Sequence, residues 1–157
     1  MYLQDCGTKV LIKSKDPIKE CMAYGWFPES RLFPELTCID KGMYESKFYP
    51  KQPLSALNKA DALIYKMLRR VFDVGLPLGA KSWDRLFAWQ RVINESDLQP
   101  WVKADLCDAL DACGNWSTDV MFEISPRNIA VDKGQLVLLD CFFLPEYQKG
   151  GKQDATK

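Results

Sequence analysis

Residues 123–143 read Glu-Ile-Ser-Pro-Arg-Asn-Ile-Ala-Val-Asp-Lys-Gly-Gln-Leu-Val-Leu-Leu-Asp-Cys-Phe-Phe, and the reading of this stretch decides the fold. Two aliphatic, partly β-branched runs, Ile129–Val131 and Leu136–Leu139, flank Asp132-Lys133-Gly134. Gly134 can supply the positive φ of a tight turn, so a β-hairpin is predicted. Asn128 stands just before it and Asp140 just after, so strand pairing brings both to the same end. Glu123 lies five residues ahead of Asn128. Oxygen-bearing side chains converging on one point suit a hard divalent cation, which makes Asn128 and Asp140 candidate metal ligands. The plainer reading is that Asn and Asp finish the hairpin ends, as these residues often do.

Working outward, 157 residues suffice for one domain, and the apolar content of 47% is that of a globular chain. Lys+Arg and Asp+Glu balance at 21 each, so no basic field exists to draw nucleic acid or anionic lipid. Six cysteines occur without a C-x-x-C pair, and there is no histidine. That argues against a structural zinc and removes histidine-based nucleophilic catalysis. No secretory leader or membrane-length apolar run is present, so reduced thiols in a cytoplasmic protein are expected, with no membrane partner.

Residues 8–13 form a strand, and Asp16-Pro17 opens a short helix with Ile18, Cys21 and Met22 on one face. Leu32 to Pro34 reads as a loop or edge. Residues 36–40 and 43–49 form a second hairpin around Asp40-Lys41-Gly42, and Pro50 and Pro53 make a stiff connector. Beyond it the pattern turns helical. Ser55 caps a helix to about Phe72, with Leu57, Ala60, Ile64, Met67, Leu68 and Val71 inward. A second covers Trp83 to Ile93, with Trp83, Leu86, Phe87 and Ile93 inward. A third runs from Pro100 to Gly114 on Val102, Leu106, Ala109, Leu110 and Cys113. The fold class is therefore α+β: a β-rich part over 1–50, a helical part with a hairpin over 51–145, and a disordered tail over 146–157.

This order of elements, with these residues, resembles the protein-kinase-like fold, truncated after the position of its D-F-G motif. Met121-Phe122-Glu123-Ile-Ser-Pro-Arg-Asn128 stands where that family has H-R-D-x-x-x-x-N, and Asp140-Cys141-Phe142 stands at D-F-G. Val10-Leu11-Ile12-Lys13 looks like the family's V-A-I-K strand. The chain is also similar to the abbreviated kinase-like proteins that some bacteriophages encode. The resemblance implies nucleotide contacts at Lys13, Glu20, Asn128 and Asp140, magnesium at Asn128 and Asp140, and Glu123 as the base.

The departures point elsewhere. A single glycine, Gly7, precedes Lys13 where a glycine-rich loop would cover the phosphates. Met121 and Phe122 replace the loop's His and Arg, and Glu123 replaces its Asp. No activation segment follows Asp140. Two expectations follow. The favoured one is a pseudoenzyme without a cofactor that binds another protein and modulates or inhibits it. The alternative is a minimal phosphotransferase using ATP and magnesium. For the former, Trp89 with Arg85, together with Arg127 in its loop, are candidate partner contacts, since exposed Trp and Arg make interface hot spots.

Overall fold

Burial alternates along Met43–Lys47, and this run pairs with Lys9–Lys13 to make the N-terminal part a sheet. The computed structural model describes residues 2–4 and 7–147. Strands β1 (Tyr2–Leu3), β2 (Lys9–Lys13), β3 (Leu36–Asp40) and β4 (Met43–Lys47) form one antiparallel sheet in the order β1-β2-β4-β3. Register aligns Val10, Ser46 and Leu36 in one row across β2, β4 and β3, and Ile12, Tyr44 and Cys38 in another, on the inner face. Lys9, Leu11 and Lys13 take the other face. The edge strand β1 was not assigned from sequence.

Helix α1 (Pro17–Ala23) starts as expected: the Asp16 carboxylate accepts from the Ile18 N–H at 2.9 Å, and Pro17 occupies the first turn. Ile18 and Cys21 are buried. The segment after it has no regular structure, yet Leu32, Phe33 and Pro34 are buried. It is a loop that belongs to the core, because its apolar side chains are tied down by the hairpin described below.

Helix α2 (Lys59–Val74) is capped by Asn58, whose side chain accepts from the Asp61 N–H at 2.8 Å. This corrects the expected start at Ser55, which instead lies in a single 3-10 turn, Leu54–Ala56. Pro53 and the short turn delay the helix by one turn, and Ala60 falls outside the buried stripe Asp61, Ile64, Leu68, Val71. Helix α3 (Arg85–Asn94) buries Leu86, Ala88, Trp89 and Ile93. Trp83 and Phe87, expected inside, are 70% and 52% exposed. A helix turns by about 100° per residue, so Phe87 and Trp89 lie on nearly opposite faces and only one can join the Leu86–Ile93 stripe. The protein buries Trp89. Helix α4 (Pro100–Cys113) carries its five expected apolar residues inward and ends at Gly114.

Two short strands, β5 (Met121–Phe122) and β8 (Phe142–Phe143), pair around the hairpin β6 (Ile129–Asp132) and β7 (Gln135–Leu138). The architecture is α+β, and one continuous core runs from Ile18 and Leu32 through the helices to the hairpin and Leu144. Of the tail expected over 146–157, Glu146 and Tyr147 extend a helical turn begun at Pro145, and the rest lies outside the described residues. The five described cysteines, 21, 38, 107, 113 and 141, are free thiols. Among the described residues no helix is long and apolar enough to cross a membrane.

Candidate functional site

The hairpin pairs Ile129 with Leu138, so Asn128 and Asp140 emerge at one end, as the sequence indicated. The backbone fixes three candidate residues there. Leu139 donates to the Asn128 carbonyl at 2.8 Å, and Glu123 donates to the Cys141 carbonyl at 2.8 Å. Pro126–Asn128 is a 3-10 turn that closes the loop between Glu123 and the hairpin. Arg69 of α2 donates to the Ile124 carbonyl and holds that loop against the helices.

The side chains at this end answer one another. Asn128 Nδ2 donates to Glu123 Oε2 at 2.6 Å, and Arg127 reaches Glu123 Oε1 at 3.3 Å. Asp140 Oδ1 receives Lys19 Nζ of α1 at 3.3 Å, and the same ammonium donates to the Leu139 carbonyl at 3.3 Å. Asp16 lies close by. Its carboxyl sits above the usual carboxylate range because burial disfavours the charge; the Asp140 charge adds to this, and backbone N–H groups and Lys19 work against it. Burial, with Asp140 next door, also pushes up the Cys141 thiol. A cavity of about 10 Å³ lies beside Lys19 and Asp140, lined also by Phe27, Phe33 and Phe142.

The other predicted residues lie elsewhere. Lys13 is exposed on β2 opposite Met43, on the sheet face turned away from Tyr44. Glu20 lies near enough to Tyr24 and Tyr44 for both to feel its charge. Helix α1 sends Lys19 rather than Glu20 to the hairpin. A helical wheel contains the signal: Glu20 is about 200° round from buried Ile18, whereas Lys19 flanks the stripe.

Trp89 is corrected from partner contact to core. It is 4% exposed and meets Phe122 edge-on at 5.1 Å between ring centroids. Arg85 is committed within the chain, bonding Asp119 at 2.6 Å. Arg127 alone of the three is well exposed, its side chain at 78%.

Sequence reading missed the residue that joins the two halves. Asp61 is 1% exposed on the apolar stripe of α2. Its carboxylate takes both terminal nitrogens of Arg31, at 2.6 and 3.0 Å, and the Leu136 N–H at 2.7 Å. Burial alone would raise its pKa, but the Arg31 and Leu136 hydrogen bonds outweigh that and hold it below the ordinary range. The sequence signal was a carboxylate three residues before Ile64 and seven before Leu68, on the buried face. With it the hairpin becomes a seam. From turn to open end, Lys47–Asp132 (2.9 Å), Arg31–Asp61–Leu136, Leu138 N–H to Leu32 carbonyl (2.6 Å) and Lys19–Asp140 join it to the N-terminal part.

Among the described residues no cluster of three or more His, Cys, Asp or Glu is placed to hold a metal ion. A nucleotide-bound magnesium, which the kinase resemblance implies, fits poorly at Asp140. A dication there would face the Lys19 ammonium across one carboxylate, while Asn128 already binds Glu123. Compared with protein-family models, curated proteins and solved structures, the chain matches none.

Proposed function

We propose that this chain is a kinase-like pseudoenzyme of the abbreviated kind encoded by bacteriophages, and that it binds another protein and modulates or inhibits it. One observation carries the reading: Lys19 occupies the carboxylate of Asp140, at the position where a kinase would hold its metal. In this reading an internal cation replaces the magnesium, and the charged groups that remain hold the fold together.

Two further points support it. A strand, a helix, a hairpin, a proline-marked connector, helices and a second hairpin follow one another in the order that the resemblance implies. The contacts along the second hairpin tie the two parts together, whereas phosphoryl transfer relies on closing and opening around a nucleotide to position it. A sewn joint suits a rigid docking module, which binds without the entropy cost of ordering itself.

A thermal-shift titration with ATP and magnesium, on the wild type and on Asp140→Ala, tests this. The expected result is an unchanged melting temperature in both. Saturation at 100 times Kd stabilises a protein by about 2.7 kcal/mol, well within detection. A shift in the wild type that Asp140→Ala abolishes would overturn the proposal and favour a minimal phosphotransferase with Glu123 as base.

A further inference from the structure

A groove of about 1100 Å³ lies between the sheet, the 27–35 loop and the hairpin, lined by Asp132 and Val137 rather than by Asn128 and Asp140. Its apolar walls include Phe27 and Phe33, packed edge to face at 5.2 Å, with Leu36 beside them. Its charges are lopsided. The three lining cations are each spent on a carboxylate: Lys9 on Glu45 at 3.1 Å, Arg31 on Asp61 at 2.6 Å and Lys47 on Asp132 at 2.9 Å. The lining carboxylates Glu29 and Glu35 are exposed and make no ion pair among the described residues.

One other feature gives the groove direction. Strand β3 is the outer strand of the sheet, and its first residues Leu36 and Thr37 border the groove. An outer strand presents unpaired backbone donors and acceptors to anything extended that lies beside it.

We propose that this groove receives an extended, basic segment of the partner protein, which pairs with the free edge of β3 and sets an arginine or lysine against Glu29 and Glu35. The proposal rests on the reading of the chain as a protein-binding module and adds the site and the partner's chemistry. Backbone pairing supplies affinity, and the two carboxylates select a cation over an anion.

Fluorescence anisotropy with a labelled short peptide of alternating arginine and threonine tests it on the full chain. Its glutamate–threonine counterpart and a version N-methylated at alternate residues serve as comparisons. The expected result is binding of the basic peptide alone, weakened about tenfold by Glu29→Gln with Glu35→Gln, the scale of one or two lost charge-assisted contacts. Glu95→Gln with Asp97→Gln, away from the groove, should leave it unchanged. Absence of binding overturns the proposal. So does an equal loss in the remote pair, which would mean attraction by net charge only. Full binding of the N-methylated peptide, or equal binding of spermine at the same carboxylates, would show a small-cation site instead. A shift with ATP and magnesium would overturn the module reading while leaving the peptide result to stand on its own.

Discussion

The molecule contains the tripeptide Asp-Lys-Gly twice, at 40–42 and at 132–134, and each time it turns a hairpin. The two hairpins differ in almost everything else. The β3–β4 turn is irregular: a register shift falls between Cys38 and Asp40, and only Gly42 has positive φ, at 73°. The β6–β7 turn is clean, with Lys133 at φ 52° and Gly134 at φ 81°. Strand β3 exposes most of its side chains, whereas β7 buries Leu136, Val137 and Leu138 in succession. Local chemistry thus guarantees a turn, and the neighbours decide which turn and how much depends on it. Asn58 donates its N–H to the Gly134 carbonyl at 2.8 Å, so helix α2 starts from the very turn it stabilises.

The largest difference between the two hairpins is expected from the ion pairs that support them: Arg31–Asp61, bonded to Leu136 of β7, and Lys9–Glu45, on β4. Arg31→Ala leaves the Asp61 carboxylate buried without the guanidinium that pairs with it. It should cost about 3 kcal/mol, the low end for an orphaned buried charge, since Arg31 is itself partly exposed. Lys9→Ala, which removes the solvent-exposed pair to Glu45, should leave the urea midpoint unchanged. Similar midpoints for the two variants would mean that the β6–β7 seam carries no special weight. The pH dependence follows in sign. The Asp61 carboxyl is held below its ordinary range in the fold, so its contribution is complete above the ordinary carboxylate pKa and is lost as pH falls through the lower folded value. Arg31→Ala should therefore lose less stability than the wild type on acidification.

A smaller effect sharpens the link between turn and helix. Asn58→Ala removes the side-chain cap of α2 and should cost about 1 kcal/mol, read from urea unfolding. Ser55→Ala, at the position that the sequence pattern favoured, should change nothing measurable, because Ser55 makes no cap. Reversal of the two would restore the helix start at Ser55.

How far the sequence reached depended on whether a feature was local. Both hairpins, the Asp16-Pro17 helix start and the Pro100 helix with its stop at Gly114 are written in consecutive residues, and the fold shows them. So is the convergence of Asn128 and Asp140, which needs only the period of two along a strand. What was lost was choice of face. Leu86, Phe87, Trp89 and Ile93 are all apolar, and periodicity alone does not say whether Phe87 or Trp89 turns inward; packing against Phe122 settles it. Asp61 was legible as a charge on an apolar stripe, but its partners Arg31 and Leu136 stand 30 and 75 residues away, beyond any local rule. Lys19, which reaches Asp140, stands beside Glu20, the residue that the kinase resemblance implies.

The smallest expected effect lies in the turns themselves. Lysine at positive φ costs about 1 kcal/mol because Cβ crowds the following carbonyl, and asparagine bears that conformation better. Lys133→Asn creates an Asn-Gly pair where both central residues already have positive φ, so it should stabilise by about 0.5 kcal/mol. Lys41→Asn creates the same pair where the first residue does not have positive φ, so no gain is expected. The test is a matched pair of urea curves, since both side chains are exposed and neither substitution touches the core. A gain at position 41 equal to that at 133 would mean that Asn-Gly itself can pull the β3–β4 turn into the regular geometry. The register shift would then be a consequence of Lys41 rather than of the sheet around it. A gain confined to position 133 places the cause in the strands: β6 and β7, held in register along the seam, impose a left-handed conformation that their own tripeptide does not demand.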